Sequence, residues 1–238
     1  MAMETSPGSI SFEAMTKIVN GASLQPLAGG APRQIVLLLH GYGSNGADLI
    51  GMAPHWQQTL PGALFLAPNA PQPLGHGAGY QWWPLHGFSP QALAAGATVA
   101  APAIEAFIDR KLDQYGLSNA DLAIVGFSQG TMMALQVGLH RRSPPASIIG
   151  YSGMFVGSRA VAIVRPPVLL VHGSADPVVP VAALGNARDG LERLGIRAVT
   201  HVCPGLGHTV DATGIRLGAE FVARHFAGPA TATDLHPG

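Results

Sequence analysis

The chain has 238 residues, 47% of them hydrophobic and 11% charged, with 13 basic side chains balancing 13 acidic ones. That length suits one large α/β domain with a sizeable core, and the balanced charge argues against a polyanion, so nucleic acid is not an expected partner. The single cysteine, Cys203, excludes an internal disulfide and reads as a small buried hydrophobe.

Met1-Ala2-Met3-Glu4-Thr5-Ser6-Pro7 lacks the basic region and apolar stretch of a secretory signal, so a cytoplasmic location is expected. A β segment within Ser9 to Leu27 precedes a strand at Gln34 to Leu39, a helix near Ala47 to Thr59 and a strand at Ala63 to Ala67. A long connection carrying Gln81-Trp82-Trp83-Pro84-Leu85-His86-Gly87-Phe88 follows. Ser89-Pro90 reads as an N-cap with proline at the first helical position, opening a helix that runs past Pro102 towards Gly116. The stretch from Ala92 to Ile104 is alanine-rich, interrupted by Pro102 and too short to span a bilayer, so an integral membrane protein is not expected.

Leu122-Ala123-Ile124-Val125 suits a strand buried on both faces, and Thr131 to His140 is rich in helix formers and free of proline. Strands follow at Ser147 to Tyr151 and Val168 to Val171, then a helix from Val181 whose Leu184, Ala187, Leu191 and Leu194 share a face, then a strand at Arg197 to Val202. Ile215, Ala219, Val222 and Phe226 mark the stripe of a closing helix. Strands alternating with helices imply an α/β fold, a mostly parallel central sheet with helices on both faces, whose sites gather beyond the carboxyl ends of the strands. No linker or charge run divides the chain, so residues 1–227 read as a single domain without a large separate lid, and residues 228–238 as a flexible tail.

Between the Leu122 strand and its helix stands Gly126-Phe127-Ser128-Gln129-Gly130, a Gly-x-Ser-x-Gly turn that lifts a serine hydroxyl clear of a sheet. A glycine-rich chain supplies that spacing by chance, so the flanking strand and helix carry the inference. A serine needs a base, and the base needs an orienting acid; in this architecture the chain order is Ser, acid, His. Asp176 follows a buried strand and His208 follows the last one, which makes Ser128, Asp176 and His208 the candidate triad. Asp189 falls within a helix, Asp211 in the first turn of the last helix, His201 inside a strand and His225 near a helix end; these read as structural, as do His172 and His40. The N–H groups of Gln129 and of Tyr42, in the glycine loop after the Gln34 strand, are the expected oxyanion donors.

Gly41-Tyr42-Gly43-Ser44-Asn45-Gly46 also fits a dinucleotide-binding loop, but no acid stands about 20 residues on to hold a ribose. There is no His-Glu-x-x-His and no close His/Asp cluster, so no catalytic metal is expected. Trp82 and Trp83, with Met154 and Phe155 beyond the Ser147 strand, are the candidate walls of a substrate cleft, the alternative being plain core packing.

Six segments together resemble the phospholipase/carboxylesterase family of α/β-hydrolases, which includes acyl-protein thioesterases and bacterial carboxylesterases. They are Leu39-His40-Gly41-Tyr42-Gly43, Ala67-Pro68-Asn69-Ala70-Pro71, Gln81-Trp82-Trp83-Pro84, the Ser128 turn, His172 to Pro180, and Gly205-Leu206-Gly207-His208. The resemblance implies Ser128 as nucleophile, Asp176 as orienter, His208 as base, and Tyr42 and Gln129 as backbone oxyanion donors. It also implies a channel near Trp82 and Trp83, no cofactor, and a small ester or thioester substrate. Members are often dimers, which leaves room for a homodimer here. Two other readings share the sequence: a lactone or dienelactone hydrolase, and an inactive hydrolase fold that only binds a ligand.

Overall fold

The computed structural model describes residues 18, 21–75, 77–85, 87–157 and 164–226. The expected tail at 228–238 and the first part of the expected β segment lie outside those residues; the described part of that segment is β1, Ala22–Leu24. Then come β2 (Gln34–Leu39), α1 (Gly46–Leu49), a 3-10 turn (Ile50–Met52), α2 (Ala53–Trp56), β3 (Ala63–Ala67), a hairpin of β4 (Gln72–Pro73) and β5 (Tyr80–Gln81), and α3 (Pro90–Tyr115). The second half alternates as β6 (Leu122–Phe127), α4 (Gln129–Leu139), β7 (Ser147–Tyr151), β8 (Val168–Gly173), α5 (Ala182–Glu192), β9 (Ala198–Cys203) and α6 (Ala212–Phe226).

Seven strands form one sheet in the order β1-β3-β2-β6-β7-β8-β9, with β1 antiparallel to β3 and every other pair parallel. A parallel sheet must be covered on both faces, and the strands supply two apolar sets to do it. Ile35, Leu37 and Leu39 pack with α3, α4 and α5, whereas Val36 and Leu38 pack with α2 and α6. On the second face Trp56 Nε1 donates to Ile215 O at 2.9 Å and the Tyr151 hydroxyl donates to Gly214 O at 2.9 Å, fastening α6 to the sheet.

The signals at the ends of α3 act as read: Ser89 Oγ accepts from Ala92 N at 3.2 Å, and Gly116 takes the left-handed φ of 65° that ends the helix. Pro102 is carried inside α3. An 18-residue window of α3 has a mean hydropathy of 1.4, but Leu93, Ala97, Ile104 and Ile108 are buried in the core cluster, so its apolarity is that of a core helix. The helix expected from Ala47 to Thr59 is instead broken in two. Pro54 has no N–H and its ring would meet the carbonyl four residues back, so the chain restarts at Ala53 with proline in the first turn.

Candidate active site

Ser128 sits where β6 turns into α4, with φ 54° and ψ −116°, a conformation a side chain enters only at a cost of about 1–3 kcal/mol. The neighbouring glycines show what makes it necessary. A β-carbon on Gly126 would collide with the backbone of Gly130, and one on Gly130 with the carbonyls of Leu39 and His40. Strand and helix therefore meet at backbone distance. Ser128 N donates to Tyr151 O at 2.9 Å, and the single hydroxyl proton of Thr131 lies between Gly126 O at 2.9 Å and Tyr151 O at 2.8 Å, tying the turn to the end of β7.

The loop after β2 lies directly on this turn. A β-carbon on Gly41 would stand 3.2 Å from Ser128 Cβ and 3.2 Å from the Phe127 ring. Gly43, at φ 78°, donates its N–H to Tyr80 O at 2.9 Å, and Tyr80 N donates to Ser44 O at 2.8 Å, so the hairpin strand β5 holds the outer side of the loop. Among the described residues, neither Tyr42 N nor Gln129 N has a hydrogen-bond partner. Unpaired N–H groups at such a place are donors available to an incoming anion.

On the other side, His208 Nδ1 donates to Asp176 Oδ2 at 2.8 Å. Asp176 Oδ1 accepts from Val178 N at 2.8 Å and Val179 N at 2.9 Å. Burial by itself would raise the Asp176 pKa, but the bonds from His208, Val179 and Val178 outweigh it and hold the carboxyl below its usual 3.8. An ionised carboxylate only accepts, so Nδ1 carries a proton towards Asp176, and in the single-proton form of the ring the Nε2 lone pair is open. His172, 2% exposed, donates Nε2–H to Val179 O at 2.9 Å and comes within 3.4 Å of Asp176 Oδ2, closing the loop that presents the carboxylate. The His208 ring lies against Phe127, with centroids 4.9 Å apart. No hydrogen bond joins Ser128 Oγ to His208 among the described residues; such contacts often tighten only once substrate is bound.

The rivals have other work. Asp211 Oδ1 accepts from Gly214 N at 2.7 Å and caps α6, while Asp189 is exposed and pairs with Arg188. Burial first, then Asp211, pushes the Cys203 thiol up to about 11, as suits an inert core residue. Among the described residues no three His, Cys, Asp or Glu side chains are grouped closely enough to hold a metal ion.

The four residues expected as cleft walls, or alternatively as core packing, are placed as follows. Trp82 and Trp83 are 1% and 5% exposed, and Trp83 lies tight against Gly96 of α3. Trp82 Nε1 donates to His40 O at 2.8 Å. Both rings therefore serve the core and the loop rather than standing open to solvent. Phe155 packs on Gly190 of α5, and Met154 borders a void of about 10 Å³ shared with Leu135 and Leu184, room for about one water. A residue whose role was missed is Gln129: its side chain, in a residue 1% exposed, accepts from Trp82 N at 3.0 Å and donates to Trp83 O at 2.9 Å. A polar residue following the serine at a buried helix start was the available signal.

Residues 27–226 match the family model described as Phospholipase/Carboxylesterase. The chain is similar to esterase YpfH of Escherichia coli, 26% identical over 75% of this chain and 77% of that one. It is also similar to acyl-protein thioesterase 1 of Neurospora crassa, 28% identical over 73% of this chain and 79% of the other. Among solved structures, that of esterase PE8 superposes with a TM-score of 0.82 at 41% identity, covering 87% of this chain and 99% of PE8. The chain thus belongs to the phospholipase/carboxylesterase family of α/β-hydrolases and is a carboxylic ester hydrolase.

Proposed function

We propose that the enzyme cleaves small carboxylic esters or thioesters through an acyl-enzyme on Ser128, with His208 as base and Asp176 as its orienter. The observation that carries the reading is the 2.8 Å bond from His208 Nδ1 to Asp176, which leaves Nε2 free to take a proton in a ring packed against Phe127, the residue before Ser128. Ser128 Oγ attacks the acyl carbon as its proton passes to Nε2. The carbonyl oxygen becomes an oxyanion received by the unpaired N–H groups of Tyr42 and Gln129. Collapse breaks the bond to the alcohol or thiol, which leaves with the proton from His208; a water activated by the same ring then attacks the acyl-enzyme and releases the acid.

The Ser128→Ala variant is expected to keep the wild-type Tm and lose about 10⁴- to 10⁶-fold in kcat on p-nitrophenyl esters. A fluorophosphonate is expected to label wild-type enzyme at Ser128 alone. Folded Ser128→Ala enzyme with undiminished turnover would overturn the assignment, and wild-type enzyme that resists the probe would favour a ligand-binding role.

A further inference from the structure

We propose that the side chains of His40, Trp82 and Gln129 are positioning residues that lock the two oxyanion donors into one rigid unit, with the Trp82–Trp83 segment as the bridge. The inference rests on the reading of Tyr42 and Gln129 N–H as those donors. The hydrogen bonds form one connected path. Gln129 Oε1 accepts from Trp82 N at 3.0 Å and Gln129 Nε2 donates to Trp83 O at 2.9 Å, so the residue that supplies one donor grips the bridge by both ends of its amide. From the bridge, Trp82 Nε1 donates to His40 O at 2.8 Å, and His40 Nδ1 donates to Gly41 O at 2.7 Å.

The last bond sets the direction of the second donor. Gly41 C=O and Tyr42 N–H belong to one planar trans peptide and point in opposite directions, so a ring nitrogen that fixes the carbonyl also aims the N–H. The bond to Gly41 O further polarises that peptide and makes its N–H a better donor. The His40 ring is itself fixed, because Nε2 accepts from Ala70 N at 3.0 Å, which requires a neutral ring with its proton on Nδ1. His40 is fully buried, Trp82 is 1% exposed and their rings lie 5.2 Å apart, so the path runs beneath the site and none of these side chains is free to reach substrate.

The test separates aiming from folding. His40→Phe and Gln129→Met keep approximate volume and delete the bonds; Trp82→Phe deletes the indole N–H bond to His40 O and is the mildest of the three. For each, kcat is measured per active site titrated with fluorophosphonate, together with KM, Tm and affinity for an arylboronic acid, whose serine adduct carries the tetrahedral anion. His40→Phe and Gln129→Met are expected to lose about 10- to 100-fold in kcat per titrated site, and Trp82→Phe about 3- to 10-fold, with KM within about twofold. Boronate affinity falls in parallel with kcat/KM. Folded variants with lowered Tm but wild-type kcat per site and wild-type boronate affinity would overturn the proposal and leave these residues structural. Should His40→Phe not fold, Trp82→Phe and Gln129→Met decide by the same two readouts. If Ser128→Ala retains turnover, the functional reading itself has failed, an outcome distinct from all of these.

Discussion

The turn at Ser128 follows β6 and the loop at Asp176 follows β8, both at carboxyl ends of sheet strands, yet they are held by different physics. The serine is placed by sterics: two glycines let β2, β6 and α4 approach at backbone distance, and the chain takes up φ 54° there. The carboxylate is placed by charge and hydrogen bonds: two backbone N–H groups and His208 converge on it, and a second histidine closes its loop. One half of the site should therefore be intolerant of a single methyl group and indifferent to acid, and the other tolerant of small changes in bulk and sensitive to protons.

The largest effect tests the charged half. In the Asp176→Asn variant the amide oxygen is expected to keep the Val178 and Val179 bonds while its NH2 faces His208. That moves the imidazole proton to Nε2 and leaves no base for Ser128. A loss of about 10⁴-fold in kcat, in a variant that still folds with a somewhat lowered Tm, is expected from ester hydrolysis and thermal melts. Turnover within tenfold of wild type would mean that Asp176 does not set the tautomer.

Next comes the steric half. Gly130→Ala drives a β-carbon into the carbonyls of Leu39 and His40, and urea unfolding is expected to report a loss of about 3 kcal/mol or more. A wild-type urea midpoint would show that the turn has slack and would dissolve the contrast drawn here.

The smallest effect is the acid dependence. Because the folded Asp176 pKa is lowered, the unfolded chain binds the extra proton first. The stabilisation is complete above the usual 3.8 and is lost as pH falls through the lower folded value. The stability difference between wild type and Asp176→Asn, measured by urea titrations from pH 7 to pH 2.5, is expected to be flat down to about pH 5 and to narrow below 3.8. A difference that stays constant across the acid range would remove the carboxylate's charge from the account.

The alternation of strands and helices, the caps of α3 and the turn around Ser128 were legible because each depends on local spacing or on one residue's backbone preference. So was the nearness of Asp176 to His208, since the ends of the neighbouring parallel strands β8 and β9 lie together whatever joins them. The orientation of Trp82 and Trp83 was not legible. A loop aromatic carries no periodicity, and only the partner of the indole N–H, a carbonyl far back in the sequence, decides which way it points. The Gln129 side chain was hidden for the same reason: both its partners come from the loop before α3. The break at Pro54 is a local signal, set against an apolar pattern that runs across it.

The pairing of β2 with β6 also bears on how the enzyme comes into being. Ile35 must find Leu122, and the strands between them in sequence sit elsewhere in the sheet or in the hairpin. During synthesis β2 and β3 emerge well before β6, with an apolar edge whose central neighbour does not yet exist. Closing that long loop is entropically costly, so the glycine loop and the serine turn should meet late, after β6 to β9 have ordered through their shorter connections. Ester-cleaving activity regained on refolding is then a measure of the last major docking event in the molecule, and a nascent chain waiting for it is the form most in need of a chaperone.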